Sequence, residues 1–218
     1  MTDGIKKGRK FAQVLDGARA VFLRDGFDGA SVDSIAKVAE VSKATLYSYF
    51  PDKRALFLEV TKTECARQAS EATSRIDMNA PPHEVLPQAG AQLLRFCLSD
   101  FGQRVFRICV AETDRFPELG AQFYASGPAM IEATLCRYFD LAIDRGELDI
   151  DDTRLAAHQF AELCKAQLFP RLVFGVQTQF SAAESDHVIT GAVEMFIARY
   201  GRKSRRDAPG ADQSTRRT

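Results

Sequence analysis

Residues 31–57 read SVDSIAKVAEVSKATLYSYFPDKRALF, and this stretch decides the fold. Ser31 precedes a short run in which Ile35, Ala36 and Ala39 fall on one side of a helix, and its hydroxyl is suited to cap that run. Asp33 sits in the first turn, where the helix dipole favours an acid. Ser42 is placed to cap a second short helix ending near Tyr49. Pro51 and Asp52 then close that helix and start another. Two short helices joined at Glu40-Val41 make a helix-turn-helix. Ala36 and Ala39 are small enough for the two helices to touch, and Val41 plugs the turn. Leu46 and Phe50 anchor the second helix. Its other side offers Lys43, Thr45, Tyr47, Ser48 and Tyr49, side chains suited to the grooves and phosphates of duplex DNA.

Upstream, Phe11, Val14, Leu15, Ala18, Val21 and Phe22 form one apolar helical stripe that Gly26 ends, with Phe27 tucked beneath it. Downstream, the pattern predicts helices at 53–75, 83–98, 101–112, 117–126, 128–145, 152–173 and 184–200. Ala80-Pro81-Pro82, Pro117, Gly127-Pro128 and Gly146 punctuate them. Ser181 to Glu184 reads as a capping box. Pro170 is expected to kink or end the 152–173 helix.

The segment from Ser31 resembles the DNA-binding domain of the tetracycline-repressor (TetR) family of bacterial regulators. The residues that carry the likeness are Ile35-Ala36, Ala39-Glu40-Val41-Ser42, Thr45-Leu46-Tyr47-Ser48-Tyr49-Phe50 and Lys53, with Phe22 to Phe27 ahead of them. The resemblance implies an all-α fold of about nine helices: a three-helix helix-turn-helix domain, then a larger helical ligand-binding and dimerisation domain. The divisions read are 1–52 (arm and DNA-binding domain), 53–200 (the helix from 53 linking the two) and 201–218, a basic tail expected to be disordered. It also implies that Lys43, Thr45, Tyr47 and Tyr49 meet bases or phosphates and that Lys53 meets a phosphate; Ser31, Ser42, Ala44 and Ser48 complete the expected DNA face. The competing readings are packing on the first helix for Tyr47, a solvated surface lysine for Lys53, and a capping hydroxyl for Thr45. Glu40 departs from the family pattern, which has glycine in this left-handed turn. The stretch Ala111 to Leu119 with Gly127-Pro128 resembles, more loosely, the multidrug-efflux regulators of the family.

The later domain is rich in phenylalanine. Phe96, Phe106, Phe123, Phe139 and Phe160, with Gln159, are the candidates for a pocket that takes a small apolar or aromatic ligand. Leu155, Leu163, Gln167, Val188, Ala192 and Phe196 lie on the stripes of the last two helices. In the resembled family such helices meet a two-fold mate, so these six are the candidates for a homodimer interface.

Charge is distributed in a way that suits this reading. The 29 basic and 29 acidic residues cancel overall. Residues 1–63 nevertheless hold 11 lysines and arginines against 8 acids, and residues 64–200 hold 12 against 19. A polyanion is drawn to the first part and repelled by the second. Lys6, Lys7, Arg9 and Lys10 form an arm that either reaches DNA or is solvated. The run from Arg202 to Arg206 reads as a solvated tail. No apolar run approaches the ~18 residues of a membrane span, and the polar start argues against a secretory signal, so a cytoplasmic, nucleoid-associated protein is expected.

The 5 cysteines include no C-x-x-C pair, and the 3 histidines are scattered. They imply reduced thiols, no metal site and no cofactor. No nucleophile triad or phosphate loop appears, so an enzyme is not expected. The sequence therefore points to a dimeric repressor of double-stranded operator DNA, released by a small hydrophobic ligand. The alternative is a DNA-binding regulator or chromosome-associated protein with no small-molecule inducer.

Overall fold

The computed structural model describes residues 8–74 and 76–202. The chain starts with α1 (Arg9–Gly29), α2 (Val32–Val38), α3 (Lys43–Tyr49) and α4 (Lys53–Thr73). The stripe from Phe11 to Phe22 is buried as a unit. At Gly26 the backbone swings to φ 74°, ψ −176°, which interrupts α1 and turns Phe27 back under it. Phe27 then packs against Phe22 and Phe57, with ring centroids 6.1 and 5.3 Å away.

Each following helix opens on a side-chain cap. Ser31 Oγ accepts from Ser34 N at 3.0 Å, Ser42 Oγ from Thr45 N at 3.0 Å, and Asp52 Oδ1 from Ala55 N at 2.8 Å. A cap of this type contributes about 1 kcal/mol. The α1–α2 contact is close enough that a Cβ on Gly17 would lie 2.6 Å from the Ala39 Cβ. Glycine is required there for space rather than for conformation.

The remaining elements are α5 (Pro82–Leu98), α6 (Asp100–Glu112), α7 (Pro117–Ser126), α8 (Pro128–Asp144), α9 (Thr153–Leu163), α10 (Leu168–Val173) and α11 (Ala182–Tyr200). Helices α5, α7 and α8 begin with proline in the first turn, where the missing N–H has no helical partner to lose. Ser181 and Glu184 form the expected capping box. The described residues thus hold eleven helices, against about nine implied by the resemblance.

One expected helix, 152–173, is two. Pro170 cannot donate to the Ala166 carbonyl, so a continuous helix would leave that oxygen without a partner. Instead Leu168 N donates to Ala166 O at 2.8 Å, and Gln167 turns to φ 65°. Pro170 then lies in the first turn of α10, where it is tolerated. The break falls a few residues earlier than the proline itself.

Two apolar cores result. The first joins α1 to α4 and also takes Phe101, Val105 and Cys109 of α6 and Leu119 of α7. The second is built by α5, α8, α9 and α11 around Tyr138, Phe139, Phe160 and Phe196. Cys65 and Cys109 belong to the first, Cys164 to the second. Burial pushes these thiols up to about 11, 12 and 12, so they remain protonated, small apolar fillers. At the end of α11, Arg202 N donates to Glu147 O at 2.9 Å, pinning the chain before residue 203. The expected tail from 203 and the lysines of the arm at 6 and 7 lie outside the described residues. Among the described residues no helix is long and apolar enough to cross a membrane.

The turn of the helix-turn-helix has the left-handed residue expected of it. Glu40 stands at φ 54°, its N–H on Lys37 O at 3.2 Å, and Val41 N reaches Ala36 O at 3.0 Å. This is the backbone arrangement that glycine adopts without steric cost. Replacing Glu40→Gly is expected to stabilise the protein by up to about 1 kcal/mol, less the extra freedom glycine gives the unfolded chain. Urea unfolding followed by circular dichroism measures it; a lower midpoint for the variant would contradict the strain.

Candidate nucleic-acid interface and ligand cavity

Helix α3 divides its residues by rotation at about 100° each. Leu46 and the following Phe50 point into the first core and are buried. Ser42, Lys43, Ala44, Tyr47 and Ser48 are exposed together on the opposite arc. Tyr47 is 51% exposed, so packing on α1 is not its role. Lys43 is paired with exposed Asp33 of α2. An exposed pair of this kind is weak and can exchange for a phosphate. Ser31, also exposed, stands at the start of α2 with its hydroxyl bonded to Ser34.

Three residues of the expected DNA face are placed otherwise. The Thr45 hydroxyl is 2.8 Å from Ser42 Oγ, half-buried within the cap. Tyr49 packs edge-on against Phe11, ring centroids 5.5 Å apart, so it is the tyrosine that holds α3 on α1. Lys53 is the clearest correction. Its ammonium donates to the carbonyls of Phe27, Ala30 and Asp28 at 2.7, 3.0 and 3.3 Å and lies 4.6 Å from the centre of the Phe27 ring. An ammonium has three N–H groups, and all three are occupied. Lys53 therefore closes the end of α1, where cations are favoured. In this structure its charge is directed at those carbonyls rather than outward.

A cavity of about 300 Å³ opens between α4, α5, α8 and α9. Phe96 and Phe160 line it, as the sequence suggested. Leu93, Ile76, Met130 and Ile131 add apolar wall, and Gln68, Gln92 and Arg95 supply polar groups. The other expected residues lie elsewhere. Phe106 packs with Phe123 and Phe169, centroids 6.5 and 5.2 Å away, between α6, α7 and α10. Phe139 is core, 5.0 Å from the Phe196 ring. Gln159 is exposed and accepts from Tyr200 Oη at 2.6 Å. The hydrophobic run Met130-Ile131 after Gly127-Pro128 was the available signal for the missed wall.

Of the expected interface residues, Leu155 is exposed on α9, while Leu163 and Val188 are half-buried. Ala192 and Phe196 are buried within the protomer, and Phe196 packs between Phe139, Phe160 and Tyr200. They cannot lie on its surface. Gln167 is exposed, at the break between α9 and α10 rather than on a helix stripe. The outward side of α11 carries Met195 instead.

A capped helix-turn-helix joined through one long helix to a helical body with an internal cavity defines a helix-turn-helix transcriptional regulator. Residues 14–60 match the profile of the bacterial regulatory proteins of the tetR family. Residues 84–202 match that of the AefR-like transcriptional repressor C-terminal domain. The chain belongs to the TetR family of transcriptional repressors. Among curated relatives it is similar to the repressor AcnR of Corynebacterium glutamicum, 24% identical over 81% of this chain and 88% of AcnR. Among solved structures it is similar to a TetR-family regulator of Mesorhizobium loti, with 27% identity and a TM-score of 0.81 over 91% of this chain and all of that one. The flavonoid-responsive regulator FrrA is 32% identical with a TM-score of 0.73, covering 90% of this chain and all of FrrA.

Lys53 and Tyr47 are separable by experiment. Lys53→Met is expected to cost about 1.5–3 kcal/mol of stability, the range for hydrogen bonds to a charged group, with little change in the salt slope of DNA binding. Loss of a phosphate contact would instead lower that slope by about one ion per subunit. Tyr47→Ala is expected to leave the melting temperature unchanged and weaken operator binding by about 1 kcal/mol, roughly five-fold. Thermal melts and fluorescence anisotropy at several salt concentrations distinguish the two.

Proposed function

We propose that this chain is a homodimeric repressor whose α3 enters the major groove of operator DNA, and that a small apolar or aromatic ligand in the α4–α5–α8–α9 cavity releases it. The cavity is the observation that carries the ligand half of this reading. Its volume falls at the lower end of the range for small-molecule sites, and its walls are mainly apolar with a few polar groups. Likeness to a flavonoid-responsive regulator supports planar, hydroxylated aromatics as the first compounds to try.

Helix α4 connects the two ends. Cys65 and Gln68 stand in the cavity wall, Leu56 and Phe57 in the first core, and Lys53 against the end of α1. A ligand that favours one position of α4 over another thereby changes the stance of the two α3 helices of a dimer. Coupling of 1–3 kcal/mol, the usual allosteric range, lowers operator affinity by about 5–150-fold. Linkage requires the operator to weaken ligand binding by the same factor. Titrating flavonoids by fluorescence with and without operator DNA tests this. A compound that binds equally well in both cases is not the inducer, however tight its binding.

The dimer is proposed to form through the outward sides of α9 and α11, which expose Leu155 and Met195. Two such helices from each protomer pack at a shallow angle as a four-helix bundle. Two-fold symmetry then presents two α3 helices to a pseudo-palindrome. Light scattering is expected to give twice the 24.1 kDa chain mass. Leu155→Glu combined with Met195→Glu is expected to give a folded monomer that no longer binds DNA specifically; a monomeric parent protein would overturn the interface.

A further inference from the structure

Glu64 is buried on α4, where donors from two helices converge on it. Its Oε1 accepts from Arg67 Nη2 at 2.6 Å, from Gln68 Nε2 at 2.8 Å and from Arg19 Nη2 of α1 at 3.3 Å. Its Oε2 accepts from Arg67 Nε at 3.0 Å. These bonds, those of Arg67 foremost, hold the carboxyl down to about 2, so it is a permanent anion at neutral pH. A carboxylate oxygen has two lone-pair directions, and here three donors compete for one oxygen. Arg19 holds the longest of the three bonds.

Arg19 also has an unused donor. Its Nε is buried without a hydrogen-bond partner, while its guanidinium lies 5.8 Å from the centre of the Phe101 ring on α6. A buried unsatisfied donor is costly, and a two-pronged contact with a carboxylate is the arrangement arginine favours. Of the donors on Glu64, only Gln68 also lines the cavity. Arg67 is held on its far side by Glu71 at 2.5 Å.

We propose that Gln68 is the residue that senses the ligand, and that Glu64 and Arg19 pass the event to α1. This rests on the cavity being the ligand site. The ligand is an uncharged, mainly apolar molecule bearing a hydrogen-bond acceptor, such as a carbonyl or phenolic oxygen. The cavity wall is mainly apolar, which disfavours a ligand that must bring a charge out of water. The acceptor draws the Gln68 amide off Glu64 Oε1, and Arg19 closes on the vacated site with its free Nε. Helix α1 is pulled toward α4, and α3 moves with it, because Phe11 of α1 packs against both Tyr49 and Phe50 at 5.5 Å. In this scheme the glutamine holds the ligand-free state by occupying the acceptor that Arg19 needs.

A double-mutant cycle on the full chain tests the relay without any ligand, using an operator duplex selected from random sequence by the parent protein. Gln68→Met is expected to mimic the ligand-bound state and weaken operator binding by about five-fold or more with an unchanged melting temperature. In an Arg19→Met background the same change is expected to alter affinity by less than about two-fold, since the relay is already cut. Gln68→Leu serves as the second variant should the methionine variant fold poorly. Operator binding by Gln68→Met equal to that of the parent, or an equal loss in both backgrounds, overturns the relay. Flavonoids add a separate arm: Arg19→Met is expected to quench their fluorescence as the parent does yet keep its hold on the operator. If the parent itself binds no flavonoid, that compound class falls as inducer, while the ligand-free cycle still decides the relay.

Discussion

The DNA-reading half of this protein is fixed to the rest by a knot of three phenylalanines and one lysine. Phe22 and Phe27 of α1 meet Phe57 of α4 at 5.2 and 5.3 Å, both edge to face, the geometry that the ring quadrupoles favour. The Lys53 ammonium covers the Phe27 ring and binds the carbonyls that α1 leaves open at its end. One long and two short helices bury little apolar surface alone. The knot recruits α4, and through it α6 and α7, into the same core. The recognition helix is therefore tied through α1 and α4 to the rest of the fold, which is what any transmission between the two requires.

The helix-turn-helix was legible in the sequence because its determinants are local. Ser31, Ser42 and Asp52 cap through their own side chains, Gly26 and Glu40 take the positive φ their positions demand, and the α1 stripe has one unambiguous face. The outcome at Lys53 was not local. Nothing within a turn of it reveals that Phe27, Asp28 and Ala30 offer their carbonyls to it from α1. Tyr47 and Tyr49 were ambiguous for a related reason. They flank Ser48 on either side on a helix of two turns, and only the position of Phe11 tells which one is held.

The regulatory half was legible as helices and opaque as a site. Periodicity says that Phe96, Phe139, Phe160 and Phe196 face inward, but a void and a core present the same pattern on any one helix. The distance between helices decides that Phe160 borders the cavity while Phe139 stacks on Phe196. The same blindness applied to Ala192 and Phe196, whose stripe was expected at an interface and closes the protomer's own core. The break at Gln167 had its cause in plain view at Pro170. The chain resolved the missing donor upstream, at a glutamine with no compositional signature for a left-handed turn.

The turn that carries Glu40 has a consequence for how such a protein finds its site. Its carboxylate stands exposed beside the recognition helix, and Asp33 is paired with Lys43 on the neighbouring surface. On the proposed reading face these two acids offset part of the basic charge of residues 1–63, and so lower the number of condensed cations displaced from arbitrary duplex. A chromosome offers roughly 10⁶–10⁹ decoy positions, so residence on the wrong ones governs the time to reach the right one. A repressor whose basic edge is partly offset in this way dwells more briefly on decoys. Such a repressor would rely more on shape and base contacts for its lifetime on the operator.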